Sequence, residues 1–236
     1  MNIKELFIKA NDLNYDQANG MKKVPVMHGP GFFPGCIGTI EEGIDLNNLP
    51  IMVLGQDFDT VEKNKVIIPS VGEIEHNMTW QNLKNLLKEV GLDKRKCFFT
   101  NAYMGLRGSG KNYGKSPAAY KKGDAFAKQC HEFFEIQLNV IKPKLVLVLG
   151  KETAKFITKV FPGQFIAWEK LTTLKELYKD INNVHIKYEF KFETIHFVFA
   201  IHPCLSGSNR SKIWGKGSGK AEEEKILKEI ISKIKI

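Results

Sequence analysis

An acid, an amide and an imidazole each follow a short apolar run in this sequence. Asp57 comes two residues after IMVLG, Asn101 ends the run CFFTN, and His202 follows the apolar run that ends at Ile201. In an α/β protein the ends of such runs meet at one edge of the sheet. These three residue types at one sheet edge would form a plausible active site.

The elements that must position these residues alternate between strands and helices. Apolar runs predict strands over Ile51–Gly55, Cys97–Ala102, Leu145–Leu149 and Thr194–Ile201, the last forming a hairpin with Ile186–Phe190. Apolar residues at helical spacing predict helices over Thr79–Val90, Gly123–Ile141, Lys151–Val160 and Ala221–Ile234. Because the strands lack strict alternation, both faces should be buried. We therefore predict an α/β fold of three layers, α/β/α, with a central, mostly parallel sheet.

Composition predicts a single domain with a basic surface. The chain has 236 residues, and Lys and Arg outnumber Asp and Glu by 35 to 26, a formal net charge of +9. We expect one domain over residues 1–236, with residues 1–50 as an N-terminal extension packed on the core. The positive charge favours nucleic acid as a partner, with a merely basic cytosolic protein as the alternative. Lacking a signal-peptide pattern and an apolar run of about 20 residues, the protein should be cytoplasmic, with no membrane segment.

Cysteine usage predicts neither disulfides nor a metal site. Cys36, Cys97, Cys130 and Cys204 are scattered and include no C-x-x-C pair. Disulfide frameworks and zinc sites need cysteines at characteristic spacings. We therefore expect reduced thiols, no metal and no cofactor.

Four motifs resemble those of the uracil-DNA glycosylase superfamily. VLGQDFDT (Val53–Thr60) resembles the family's water-activating motif, which reads GQDPYH in the best-known branch. FFTNAYMG (Phe98–Gly105) resembles the strand that ends in the uracil-reading Asn, and IHPCLSGSNR (Ile201–Arg210) resembles the late HPSPLS motif. KPKLVLVLGKETAKF (Lys142–Phe156) is similar to a segment of the wider superfamily. The four occur in the family's order, which makes the combination more specific than any single motif.

The resemblance implies a base-excising hydrolase that needs no cofactor. Asp57 would stabilise the sugar cation and orient a water, while His202, as a neutral imidazole, would donate to O2 of the departing base. Asn101 would read the Watson–Crick edge of uracil, and the backbone amide of Gln56 would also point at the base. Leu205 would fill the gap left by a flipped nucleotide. Flanking phosphates would be held by other side chains of the late motif, Ser206, Ser208 and Arg210.

Each of these roles has a structural alternative. Asp57 or Asn101 at a strand end could instead cap a turn or anchor a loop. His202 could be a satisfied structural histidine, and Leu205 could simply belong to the core.

Asp59 and the cysteines depart from the family pattern. Asp59 stands where the family's thymine-excluding Tyr falls, so it is a base contact, a second acid near the sugar, or a solvated side chain. One branch of the superfamily carries an iron–sulfur cluster on four cysteines, and Cys130 resembles the last of these. The N-terminal C-x-x-C is missing and Gly105 stands in the place of a third ligand. We therefore predict no cluster.

The family's stacking Phe also has no clear match. It should fall within KVIIPSVGEI (Lys65–Ile74), which contains no aromatic residue. Phe58 or Ile68 could take its place against the base. Either Phe32 or Phe33, in a glycine-rich turn, could also line the pocket.

Two glycine-rich stretches predict flexible basic loops. GLRGSGKN (Gly105–Asn112) nearly spells a phosphate-binding P-loop, but its last position lacks the required hydroxyl. We interpret it as a loop that brings Arg107 and Lys111 to the DNA backbone, rather than as an NTPase site. SKIWGKGSGK (Ser211–Lys220) is interpreted as a second such loop, in which Trp214 either stacks on a base or packs.

The leading hypothesis is a monomeric DNA glycosylase that acts in base excision repair. It would flip uracil, or a related damaged pyrimidine, out of DNA and hydrolyse its N-glycosidic bond. The alternative is a catalytically inactive superfamily member that binds nucleic acid. Release of uracil from DNA distinguishes the two.

Overall fold

The computed structural model of the protein describes residues 3–15, 21–25, 31–35, 49–60, 78–107, 124–217 and 219–236. Within these ranges the strands, in chain order, are β1 (Met21–Lys22), β2 (Ile51–Gly55), β3 (Cys97–Asn101), β4 (Leu106–Arg107), β5 (Leu145–Leu149), β6 (His185–Phe190) and β7 (Glu193–Ala200). The α-helices are α1 (Ile3–Asn11), α2 (Met78–Glu89), α3 (Ala125–Ile141), α4 (Lys151–Val160), α5 (Ile166–Glu169), α6 (Leu174–Leu177), α7 (Ile181–Val184), α8 (Ser206–Trp214) and α9 (Gly219–Ile231). The short 3-10 helices are η1 (Lys94–Lys96) and η2 (Pro203–Leu205).

A five-stranded sheet forms the centre of the described part of the molecule. Its order is β3-β2-β5-β7-β6, and every neighbouring pair is parallel except β6 with β7. All residues of β2 and β5 are buried, because helices flank the sheet and these runs have no polar face to turn towards water. This mixed architecture confirms the predicted α/β fold with a central, mostly parallel sheet.

Helix α3 illustrates how the local sequence determines where a helix begins and ends and which of its faces is buried. The Asp124 carboxylate caps its first turn by accepting from Ala127 N–H at 3.1 Å, and Lys142 ends it with a left-handed φ of 50°. Its apolar side chains recur at the helical period and are buried, namely Phe126, Cys130, Phe133, Phe134, Leu138 and Ile141. Gly123, where the sequence predicted the start, lies outside the described residues.

Aromatic contacts tie the N-terminal helix to the core. The ring of Phe7 in α1 lies 4.5 Å from the ring of Phe33, and Phe33 packs in turn on Phe98 of β3 at 5.4 Å. Tyr15 donates its hydroxyl hydrogen bond to the carbonyl of Met104. Phe33 is therefore a core residue between α1 and β3.

One predicted loop is a helix in the structure. Ser211–Trp214, predicted as part of a flexible basic loop, form the second half of α8, which ends at Gly215 with a φ of 86°. Trp214 packs edge-on against Tyr178, with ring centroids 4.9 Å apart. The loop prediction was wrong for Ser211–Trp214 because the first glycine, Gly215, ends a helix, and Gly219 is already the first residue of α9.

The described residues contain neither a membrane span nor a cluster of metal ligands. None of the helices in the described ranges has the length and apolarity needed to cross a membrane. Nor do these ranges bring three or more His, Cys, Asp or Glu side chains together as a metal site would. Cys97 and Cys130 are buried thiols outside any disulfide, and Cys36 lies outside the described residues.

Candidate active site

Parallel pairing brings the predicted site residues to one edge of the sheet. Gly55, the last residue of β2, pairs with Asn101, the last residue of β3. Strand β5 lies on the other side of β2, with β7 beside it, so the turn that carries His202 leaves the sheet at the same edge. Asp57 follows β2 by two residues. The carboxyl edge therefore holds all three groups.

Asn101 is buried against the end of β2. It is 2 % exposed, and a Cβ on residue 55 would collide with its Oδ1. The same Cβ would lie 3.1 Å from the ring of Phe32, which packs on Trp80 and Phe99. Gly55 is therefore required for close approach. The carboxamide is held between the strand end and an aromatic cluster.

Asp57 belongs to a cluster of charged side chains, which we call the acid cluster, with Asp59 and Arg107. The Asp57 carboxylate is 5 % exposed, and its Oδ2 lies 3.2 Å from Arg107 Nε. Arg107 Nη2 reaches Asp59 Oδ1 at 2.9 Å. Asp57 Oδ1 accepts from the backbone N–H of Asp59 at 2.8 Å, and Gln56 Nε2 donates to Oδ2 at 3.3 Å. Both carboxylate oxygens of Asp57 therefore accept hydrogen bonds from neighbouring groups.

Asp59 is held in an uncommon backbone conformation. Its φ of 64° lies in the left-handed region, which Asp tolerates better than most residues. Its carbonyl accepts from Arg107 N–H at 2.7 Å. Arg107 therefore contacts residue 59 through both its main chain and its side chain. Asp59 is not merely a solvated side chain.

His202 is held as a neutral imidazole. Burial lowers the pKa of its ring to about 4, although the charge of Asp59 acts in the opposite direction. The backbone N–H of Cys204 donates to Nδ1 at 3.4 Å, which places the proton of the neutral ring on Nε2. At neutral pH the ring therefore presents a hydrogen-bond donor without a positive charge.

A glycine turn allows His202 to approach the end of β5. Gly150 has a φ of 87°, and a Cβ there would lie 2.9 Å from the Cβ of His202. Its N–H donates to the carbonyl of Ala200 at 2.8 Å. Because the charge of Asp59 acts on the pKa of the ring, the imidazole lies within electrostatic reach of the acid cluster.

The family is decided by comparison with known proteins. A family model described as the uracil DNA glycosylase superfamily matches residues 44–231, which is most of the 236-residue chain. The chain belongs to the uracil-DNA glycosylase superfamily. Comparison with the curated proteins gave no match. In this superfamily member the matched region runs from before β2 to the end of α9, and it includes the acid cluster and His202.

A buried carboxylate supports the turn that carries His202 in this superfamily member. Glu223 of α9 is fully buried; its Oε1 accepts from Ile201 N–H at 2.7 Å, and its Oε2 accepts from Arg210 Nε at 2.6 Å. Burial raises the pKa of Glu223, while Arg210 and the hydrogen-bond donors oppose that shift. Because Ile201 immediately precedes His202, Glu223 anchors the end of β7 to α8 and α9.

Sequence reasoning missed Glu223, although the sequence held a signal for it. It lies in a Lys/Glu-rich helix between Glu222 and Glu224, and residue type alone does not distinguish the three. It is also spaced four and seven residues before Leu227 and Ile230, which are buried. A charged residue at an apolar-face position indicates a buried partner.

Three of the predicted phosphate contacts have partners within the protein. The side chain of Arg210 is 15 % exposed and pairs with Glu223, and that of Arg107 is 11 % exposed and belongs to the acid cluster. Ser206 is buried, and its hydroxyl donates to the carbonyl of Pro203 at 3.0 Å. All three side chains therefore have partners within the protein, and their roles as phosphate contacts stay predictions.

The other predicted DNA contacts remain predictions. Leu205 is 42 % exposed at the end of η2, so the alternative that it belongs to the core is wrong. Ser208 is exposed on the first turn of α8. Lys111 and Ile68 lie outside the described residues, as do residues 108–112 of the near P-loop.

Backbone contacts anchor the loop on either side of Asp57. The carbonyl of Gln56 accepts from Tyr103 N–H at 2.9 Å, and Phe58 N–H donates to the carbonyl of Gly105 at 3.5 Å. Phe58 is 5 % exposed, so little of its ring is accessible. The roles of Gln56 and Phe58 as base contacts stay predictions.

Glu223→Gln should destabilise the protein by about 3 kcal/mol, because Arg210 would lose its buried counter-charge. Chemical denaturation would measure the change in the free energy of unfolding. Glu222→Gln is the matched control, since Glu222 is exposed on the same helical turn, and it should change that free energy by less than about 0.5 kcal/mol. Equal destabilisation by both variants would contradict the anchoring role of Glu223.

Proposed function

We propose that this protein is a DNA glycosylase that flips uracil, or a related damaged pyrimidine, out of DNA and hydrolyses its N-glycosidic bond in base excision repair. Superfamily membership supports glycosylase-type chemistry. The observation that carries the proposal is a buried carboxylate, Asp57, at the same sheet edge as a neutral imidazole, His202. The protein would act as a cytoplasmic monomer.

The proposed reaction separates charge as the bond between C1′ and N1 breaks. The electron pair leaves with the base and spreads over N1 and O2, while the deoxyribose becomes cationic. Asp57 stabilises that cation and orients a water whose oxygen forms the new bond to C1′. The water's proton passes to the carboxylate or to solvent. His202 donates Nε2–H to O2 and stabilises the leaving anion without giving up its proton.

Asn101 supports a uracil-like substrate. Its carboxamide offers both an acceptor and a donor, which match N3–H and O4 of uracil, whereas cytosine presents the opposite pattern at these positions. The side chain is buried and lies close against Gly55, which restricts its movement. A mismatched base would leave a buried polar group unpaired, at a cost of about 1–3 kcal/mol.

Binding to DNA is supported by charge and by an exposed apolar side chain. The net charge of +9 attracts the phosphate backbone without reading its sequence. Leu205 is placed beside His202 in the chain and is exposed, as a side chain that enters the base stack must be. Ser208, on the next turn, would contact a flanking phosphate. Water and side chains suffice for this chemistry, so the proposal includes no cofactor or metal.

Asp57→Asn and His202→Ala should each lower the rate of uracil release from a single-uracil oligonucleotide by about 10²–10³-fold, because each removes charge stabilisation from the transition state. Single-turnover assays measure the rate. Asp12→Asn, on an exposed turn after α1, is the control and should leave the rate unchanged.

A different result would favour the alternative function. The panel should include hydroxymethyluracil, hypoxanthine and mismatched substrates. Salt-dependent DNA binding without release of any of these bases, indifferent to Asp57→Asn, would indicate a protein that binds nucleic acid without excising bases.

The rate of base release should show no titration near pH 6.5. Burial lowers the pKa of His202 to about 4, so the ring is already neutral, and competent to donate without charge, from about pH 5.5 to 8. Activity that depends on the neutral ring should fall only as the pH drops towards 4. Rates measured across this range, with folding checked at each pH, test the prediction. A rate that falls as pH is lowered through 6.5 would argue against a neutral His202.

Leu205→Ala should slow base release from duplex DNA by roughly tenfold, because it removes an apolar contact worth about 1.5 kcal/mol in the vacated stack. Single-stranded DNA should be affected less, since there is little stack to fill. The control is Ile166→Ala, which truncates another exposed apolar side chain, 53 % exposed in α5. Equal losses on both substrates would speak against a wedge.

A further inference from the structure

We propose that Arg107 is a positioning residue whose guanidinium bridges Asp57 and Asp59 and so fixes the orientation of the Asp57 carboxylate. The inference rests on the proposed glycosylase function, in which that carboxylate faces the sugar. It gives Arg107 a place within the site in place of the phosphate contact that the sequence predicted.

Arg107 joins two carboxylates through different nitrogens. Its Nη2 donates a hydrogen bond to Asp59 Oδ1 at 2.9 Å. Its Nε lies 3.2 Å from Asp57 Oδ2, which is an ion-pair contact without hydrogen-bond geometry. The side chains of Arg107 and Asp57 are only 11 % and 5 % exposed. Charges so far removed from water interact more strongly than a surface pair. The exposed pair of Arg95 and Asp93, at 79 % and 34 %, is a contrasting case in the same chain.

The main chain of Arg107 reinforces the bridge. Its N–H donates to the carbonyl of Asp59 at 2.7 Å, and strand β4, which ends at Arg107, pairs with β1. The N–H of Asp59 in turn donates to Asp57 Oδ1 at 2.8 Å. A continuous series of hydrogen bonds therefore runs from β4 through residue 59 to Oδ1 of the Asp57 carboxylate, while the Arg107 side chain contacts Oδ2 directly.

The chemistry of the bridge requires an arginine. A guanidinium is a planar fork that can satisfy two carboxylates at once, whereas a lysine ammonium is a compact charge on a flexible stem. A carboxylate held in one orientation is already aligned when the sugar cation forms. Arg107 acts through Asp57 and touches no substrate, so its loss should change the rate of the chemical step more than the affinity for DNA.

The test separates rate from binding. Single-turnover rates would be measured on a single-uracil duplex, and Kd on a duplex with an uncleavable uracil nucleotide, for Arg107→Gln and Arg107→Lys. We expect Arg107→Gln to lower the rate by up to about 100-fold with Kd changed less than about twofold, and Arg107→Lys to restore part of the rate. Arg95→Gln, which removes the exposed guanidinium, is the matched control and should change neither quantity.

A second variant tests whether Arg107 and Asp59 act through one contact. Asp59→Asn should slow the reaction, but adding it to Arg107→Gln should cause little further loss, because both changes break the same bridge. Independent, additive losses would overturn the proposal. So would an unchanged rate with weaker DNA binding and a salt dependence reduced by about one phosphate contact, which is the signature of a backbone contact.

The failure of the proposed function would be recognised separately. If the wild-type protein releases no base, glycosylase activity is absent, and the bridge is then tested by denaturation of the wild type, Asp57→Asn, Arg107→Gln and the double variant. Non-additive shifts of the denaturation midpoint would support the contact between the two side chains. Additive shifts would overturn it whatever the activity of the wild type.

Discussion

Parallel strand pairing is the constraint on which the whole site depends. Because β2 pairs with β3 and β5, and β5 with β7, all in one direction, the turns after these strands leave the sheet at the same edge. Strands β2 and β5 are buried along their whole length, so a slip in their register would disturb close packing on both faces of the sheet. Glycines at the strand ends, Gly55 and Gly150, then let Asn101 and His202 approach more closely than any side chain at those positions would permit.

Burial decides what the groups at this edge can do. The environment of His202 disfavours the imidazolium, which leaves a neutral donor at physiological pH. The Asp57 side chain is also buried, yet its oxygens accept hydrogen bonds from the backbone N–H of Asp59 and the side chain of Gln56. A poorly solvated site strengthens each of these interactions and spares the reaction the reorganisation of water. On an exposed surface, water would screen a carboxylate and an imidazole, and they would stabilise developing charges much less.

Two arginines of this basic protein serve its interior. Arg210 joins α8 to the buried Glu223, and Arg107 joins β4 to the loop after β2. Each pair links two different elements of the fold, and each lies close to a residue of the proposed chemistry. In the proposed function the remaining positive charge would attract DNA over a distance, while these two guanidiniums contact carboxylates within the protein. Net charge alone does not distinguish the two uses, because it counts both equally.

The sequence by itself determined the order of the main strands and helices, the edge of the sheet at which Asp57, Asn101 and His202 gather, and the superfamily. Apolar periodicity and the order of motifs can be recognised directly from the residues along the chain. The tertiary structure alone decided how the charged residues are used. Helix α8 in place of a predicted loop, the burial of Arg210 on Glu223 and the bridge from Arg107 to two carboxylates all depend on contacts between separate elements of the fold. The residue type gives the formal charge. The pKa, the exposure and the partner of the side chain follow from tertiary packing, which no local sequence pattern specifies.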